Sequence, residues 1–311
     1  MSRRKSGRAA EPRAGVASPF HVLVATDGSS RARAALATAV AFPWPRGARA
    51  SGVIARRGFA GTQIAGEWPV TVWEALDRSL ERVRATAQAV LARRWRDAEV
   101  VIVDQPPVDA ILAQARRRRA GVVVLGSRGH GLLSRVVLGS VSRGVVRRAD
   151  CPVLVVKRRL AEVRRVLVGL DGSPNARRAV DFVARLEVPP GGQVTVLRAV
   201  EPIRVPSLGL APASVRRAVS AQAEELNQQS IRAAEREVGD AAARLERRGW
   251  KAEPVVRLGV PLPELLRAVT AARADLLVLG ARGVGGVTRL LLGSVAEGAL
   301  GRAPVSVLVV K

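Results

Sequence analysis

Gly126-Ser-Arg-Gly129, followed after nine residues by Gly139-Ser140, recurs in the same chain as Gly280-Ala-Arg-Gly283, nine residues and Gly293-Ser294. Each frame follows a short apolar run, and each ends where a helix-compatible stretch begins. Glycines carry no Cβ, so they let backbone N–H groups close on an anion. A Gly-Ser pair that opens a helix adds free N–H groups, the helix dipole and a hydroxyl donor. Those residue types at that spacing suit phosphate. Upstream, Asp27-Gly-Ser29 and Asp171-Gly-Ser173 close two further apolar runs, and a carboxylate placed there can accept hydrogen bonds from a ribose or a base. Taken alone, G-x-x-G is more often a turn and Asp-Gly-Ser a helix cap. Two such fragments in one order, twice in one chain, favour binding over a purely structural role.

The elements that must position these residues read as strand and helix in alternation. In the first copy the strands fall at 20–26, 48–55, 99–103, 121–125 and 151–157, and the helices at 30–42, 72–95, 107–119 and 138–148. The run at 48–55 is a weak strand interrupted by Gly52, whereas its counterpart, near 193–200, is uninterrupted. Val72, Leu76, Leu80, Val83, Ala87 and Val90 mark the apolar side of the second helix. In the second copy the strands begin at Val166 and recur near 193–200, 252–258, 275–279 and 304–311. Matching Asp27 to Asp171 gives an offset of 144, but the glycine frames are offset by 154. The long amphipathic stretch Val215–Trp250 is the place for the extra residues. Continuous apolar strands separated by helices predict a doubly wound α/β fold with parallel sheets. In such a sheet ligands sit beyond the carboxyl ends of the strands where the order reverses. A reversal between the first and fourth strands sets Asp27 beside the Gly126 loop and Asp171 beside the Gly280 loop.

Composition sets the remaining bounds. With 311 residues and 48% hydrophobic content the chain can bury one large core or two ordinary ones, and a repeat favours two. Aromatic residues make up 3%, so the core must be Val, Leu and Ala. No apolar run approaches a membrane span and the N-terminus lacks the apolar segment of a secretory signal, so a cytoplasmic location is expected. The net charge of +25 is concentrated in residues 1–160, which carry +18 against +7 in 161–311. Part of it is the tail 1–19, expected to be disordered, and part is the run 116–119 at a helix end, where cations suit the dipole. A solvated basic surface explains this charge more simply than nucleic acid or acidic lipid, since no aromatic residues interleave the arginines.

Other reactive residues carry less. His130 faces Val284 in the repeat, so it cannot be a base shared by both sites, and Cys151 aligns with Val305 as a small core residue. One cysteine and two histidines (His21, His130) offer neither a disulfide framework nor a zinc site. Arg128 and Arg282 stand beside the glycines, either as phosphate contacts or as ordinary loop arginines.

The G-x2-G-x9-G-S frame, preceded by Val-Ala-Thr-Asp27-Gly-Ser and followed by Cys151-Pro-Val-Leu-Val-Val-Lys157, resembles the universal stress protein family in its tandem form. The resemblance covers the chain except its first nineteen residues. It implies two five-stranded domains of strand order 3-2-1-4-5, at 20–157 and 164–311 with 158–163 as linker. It also implies ATP in each, accompanied by Mg²⁺ held by the phosphates. By matching position, Asp27 and Asp171 would face the adenosine. Gly126, Gly129, Gly139 and Ser140, with Gly280, Gly283, Gly293 and Ser294, would surround the phosphates. The last strands, 151–157 and 304–311, would pair as an intramolecular pseudo-dimer, with a further homo-dimer open. The poor match of 50–55 to 194–199 makes the first adenine pocket the less certain of the two.

Neither site offers paired acids, a P-loop lysine or a shared base. Binding without appreciable hydrolysis is therefore expected, and a nucleotide-dependent stress-response or regulatory module rather than an enzyme. The alternatives are an enzyme of the related adenine-nucleotide α-hydrolase group, whose further motifs are not found, and a basic protein that binds nucleic acid or a membrane surface.

Overall fold

The computed structural model describes residues 20–56, 70–128, 138–205, 212–283 and 292–311. The tail 1–19, Gly129 and His130 lie outside these residues.

In the first half, β1 (His21–Ala25), β2 (Arg49–Arg56), β3 (Glu99–Asp104), β4 (Val122–Gly126) and β5 (Val153–Val156) alternate with four helices. These are α1 (Ser30–Ala41), α2 (Val70–Ala92), α3 (Pro107–Arg117) and α4 (Ser140–Arg148). The second half repeats the pattern with β6 (Arg165–Leu170), β7 (Gln193–Val200), β8 (Lys251–Leu258), β9 (Leu276–Gly280) and β10 (Ser306–Val310). Its helices are α5 (Pro174–Arg185), α6 (Ala213–Glu246), α7 (Pro261–Ala271) and α8 (Ser294–Arg302). The length difference inferred from the two offsets falls in α6, which has 34 residues where α2 has 23.

One sheet runs through the molecule in the order β3-β2-β1-β4-β5-β10-β9-β6-β7-β8. Each half is parallel with order 3-2-1-4-5, and the halves join where β5 and β10 pair antiparallel, Leu154 opposite Leu308. The intramolecular pairing of last strands expected from the resemblance is therefore present. The core, however, is not divided as a repeat suggested. Val24, Val124, Leu154, Leu308, Val278 and Val168 lie in one buried cluster, and Leu23, Val123, Val155, Val307, Leu277 and Leu167 in the other. Successive strand residues point to opposite faces. Because the sheet is unbroken, each hydrophobic layer spans both halves.

The weak second strand of the first copy is a full eight-residue strand, as long as its counterpart. Gly52 does not interrupt it. A Cβ there would lie 2.8 Å from Val100 Cγ2, so the neighbouring strand's valine fills the space the glycine leaves. The connection 158–163 is also held down: Leu160 and Val163 are buried, and the Leu160 N–H donates to Thr38 Oγ1 at 3.0 Å.

Candidate functional site

Pairing of β1 with β4 and of β6 with β9 sets the carboxyl ends of these strands side by side in each half. Beyond them the Asp-Gly-Ser turns have the same local construction. Gly28 and Gly172 sit at φ +78° and +83°, a left-handed backbone that favours glycine. Ser29 and Ser173 cap α1 and α5, accepting from the N–H groups of Ala32 and Ala176 at 3.2 and 3.1 Å. One carboxylate oxygen of Asp27 and of Asp171 accepts from the Ser29 and Ser173 N–H groups at 3.0 and 2.9 Å. The serines are thus capping residues, and the turn fixes each aspartate at the mouth of the strand-order reversal.

The glycines of the frames divide into two kinds. At Gly126 an added Cβ would lie 2.7 Å from the Arg31 carbonyl carbon, and at Gly280 2.8 Å from the backbone nitrogen of Ala176. These first glycines let α1 and α5 pass over the ends of β4 and β9, so a helix takes the space that a side chain would fill. The later glycines line the loop itself. A Cβ on Gly283 would lie 2.6 Å from Asp171 Oδ2, which places the aspartate and the glycine frame in direct apposition across the switch point. Gly139 and Gly293 precede α4 and α8, and their N–H groups donate to Ser127 O and Ala281 O at 2.9 and 2.8 Å. These bonds fold the loop back onto the strand end. Neither helix receives a side-chain cap, so the first-turn N–H groups beside Ser140 and Ser294 remain for an anion.

The two sites differ where an adenosine would lie. Over Gly28 stands Val83 of α2, whose Cγ2 is 2.7 Å from an added Cβ. Over Gly172 stands the ion pair of Arg198 with Glu237, each within 4 Å of an added Cβ. The nearest side chain over the first turn is thus apolar and over the second charged, although Arg33 donates to the Gly28 carbonyl at 2.5 Å. Part of the difference lies in the compared segments 50–55 and 194–199, where Arg198 of β7 stands at the position of Ile54 of β2; Val83 and Glu237 come from α2 and α6, the helices whose lengths diverge.

Arg128 and Arg282 hold matching places in the two halves. Each is a positive neighbour of a last-strand lysine, Arg128 of Lys157 and Arg282 of Lys311, and helps depress that lysine's affinity for its proton after burial has done most of it. The lysines were missed by sequence reasoning, although they occupy matching positions 154 residues apart. Lys157 Nζ donates to Ala303 O and Ala299 O at 2.6 and 3.3 Å, at the end of α8. Lys311 Nζ donates to Val146 O and Arg147 O at 2.6 and 3.5 Å, at the end of α4. Each half so caps a helix of the other, with positive charge at the negative end of the dipole.

The remaining reactive residues are outside the sites. His21 starts β1, at the opposite end of the sheet, and shares a hydrogen bond of 2.8 Å with Ser51 Oγ; burial lowers its pKa, helped by Arg118 and Arg49. Cys151 is half-buried among apolar residues, and burial pushes its thiol up to about 11. Among the described residues no group of three or more His, Cys, Asp or Glu is arranged to hold a metal, and no helix is long and apolar enough to cross a membrane.

The model of the universal stress protein family matches residues 20–157 and again 162–311. A universal stress protein of Mycobacterium tuberculosis is 33% identical over 244 residues, covering 74% of either chain. One from Thermus aquaticus is 39% identical over 139 residues, covering 44% of this chain and 97% of its own. Among solved structures, a universal stress protein from Archaeoglobus fulgidus superposes with a TM-score of 0.62 at 22% identity, over 94% of this chain and 98% of its own. That likeness concerns the fold.

Proposed function

The chain belongs to the universal stress protein family over both of its halves, and from that premise we propose that each half binds ATP and that the protein is a nucleotide-dependent regulatory module of the stress response. The observation that carries this reading is the apposition of Asp171 Oδ2 and Gly283 across the β6–β9 switch point, beside the uncapped start of α8. A carboxylate and a set of free N–H groups on opposite sides of one crevice match the two unlike ends of a nucleotide. The first half has the same turn at Asp27 and the same uncapped start of α4. Gly126 and Gly280 support the cradle by admitting α1 and α5, while Gly139, Ser140, Gly283, Gly293 and Ser294 surround the phosphates; Gly129, outside the described residues, takes the same role by its matching position. Mg²⁺ would be held by the phosphates.

Little or no hydrolysis is part of this reading. Each site has one aspartate, already engaged in its turn; the further carboxylate over the second site, Glu237, is paired with Arg198 and is not free to activate water. The domains are taken as 20–157 and 164–311, working in the cytoplasm. Isothermal titration of the full chain with ATP tests the proposal. Two molecules per chain are expected, falling to one in Gly139→Val or in Gly293→Val; a wild-type titration without heat, or unchanged stoichiometry in both variants, overturns it.

A further inference from the structure

At the seam between the halves a cavity of about 440 Å³ opens behind the first glycine frame. Its lining includes Arg31, Arg128, Lys157, Arg158 and Arg302 and, among the described residues, no acidic side chain. Arg31, Arg128 and the pair Lys157–Arg158 come from the first half, and Arg302 crosses from the end of α8. Among the described residues Arg158 and Arg302 form no ion pair, and Lys157 spends its ammonium on the carbonyls of Ala299 and Ala303. The volume is within the range of small-molecule sites, roughly 300–1,000 Å³.

The fold does not require this concentration of charge. The positions related to it by the internal repeat, about the β5–β10 junction, hold Asn175 for Arg31, Arg148 for Arg302 and Asp150 for Pro304. There Arg148 is paired with Asp109 at 2.7 Å and Asp150 with Arg116 at 3.1 Å. Arg178 donates to the Lys311 carbonyl there as Arg31 does to that of Lys157, but the guanidinium at the end of α4 has a carboxylate partner, whereas Arg302 at the end of α8 has none among the described residues and lines the cavity. Like charges facing one space repel unless an anion joins them. Burial chiefly, and Arg128 after it, depress the proton affinity of Lys157 at this cavity.

We propose that this seam cavity is a binding site for a compact phosphate polyanion, a chain of two or three phosphates, held jointly by the two halves through Arg31, Lys157, Arg158 and Arg302. The guanidinium groups supply forked donors for phosphate oxygens, and the lysine supplies a point charge at the floor. The chemistry fits either a free inorganic polyphosphate or the phosphate tail of a nucleotide seated in the first glycine frame, because Ser127 and Arg128 border both. The site does not depend on nucleotide binding in the second half.

Titration of the full chain with inorganic tripolyphosphate at near-physiological salt tests this. One molecule per chain is expected to bind. The double variant Arg158→Glu/Arg302→Glu should weaken it at least tenfold, while Arg148→Ala, at the matching position of the other seam, should leave it within twofold. Absence of binding to the wild type, or equal binding to the double variant, overturns the proposal. So does loss of binding in Gly139→Val and Gly293→Val alike with none in the double variant, since the anion would then reside in the frames. Competition separates the sources. Tripolyphosphate that binds alongside saturating ATP marks a free polyphosphate site, and displacement by ATP, itself weakened in the double variant, marks the nucleotide's tail. ATP stoichiometry at the second half, read in Gly139→Val, reports on the nucleotide reading separately.

Discussion

Replacing Gly280 with alanine places a Cβ 2.8 Å from both the Ala176 nitrogen and the Asn175 carbonyl carbon, and 2.9 Å from Asn175 Cβ. Two of these three neighbours are backbone atoms in the first turn of α5, which is fixed by the Ser173 cap, so no side chain can rotate away. Ordinary contact needs at least 3.4 Å, and the helix start must therefore move by more than half an ångström. Overpacking of this kind costs about 1–3 kcal/mol. Against it, alanine restricts the unfolded chain and returns about 0.4–1 kcal/mol. The clash wins, for a net loss of roughly 1–2 kcal/mol. At about 2–4 °C per kcal/mol for a domain of this size, Tm should fall by roughly 2–8 °C. Gly239 is the control: it lies inside α6 with nothing within 4 Å of an added Cβ, so Gly239→Ala should stabilise by about 0.5–1 kcal/mol. Thermal denaturation followed by circular dichroism reads both, with ATP titrated well below the transition. Gly280→Ala with an unchanged Tm and abolished binding would refute the reasoning, because the glycine would then be facing the ligand rather than the helix.

The other predictions use the same contacts. Lys157 holds its proton with a pKa of about 8 against an ordinary 10.5, so between those values the unfolded chain binds more protons than the folded one, and stability should rise with pH there. Lys157→Met should flatten that rise, which chemical denaturation at pH 8 and pH 10 measures; an unaltered slope would show the lysine to be solvated. Cys151, with its thiol at about 11, should react with iodoacetamide at pH 8 far more slowly in the folded than in the urea-unfolded protein, and equal rates would contradict its packed position. Glu237→Ala leaves the half-buried Arg198 guanidinium without its carboxylate above Gly172, and should lower Tm while altering ATP affinity at the second site only. Removal of residues 1–19 should leave ATP affinity unchanged in calorimetry, and a large loss would bring the tail into the site.

Much of the fold was legible because its signals are local. Continuous runs such as Val22–Ala25 and Val153–Val156 read as strands buried on both faces, and the Asp-Gly-Ser turns read as helix starts. Gly52 misled because its fit depends on Val100, a residue of the neighbouring strand. The division of the core misled for a related reason, since the β5–β10 junction decides whether one sheet or two exist. At the site, Asp27, Asp171, Gly126 and Gly280 stand at or just beyond strand ends, as the apolar runs before them indicate, but the sequence could not tell glycines that admit a helix from those of the loop. That distinction lies in the approach of α1 and α5. The cationic seam was out of reach for the same reason: Arg31, Lys157 and Arg302 are scattered along the chain, and only the antiparallel junction brings them to one cavity.

The account rests on nucleotide binding by both halves. Native mass spectrometry of the freshly purified full chain, before and after addition of ATP and Mg²⁺, counts the molecules held. Two per chain in the wild type, one in Gly293→Val and none in Gly139→Val/Gly293→Val is the predicted series. A wild-type chain that stays free of nucleotide at saturating ATP would contradict it.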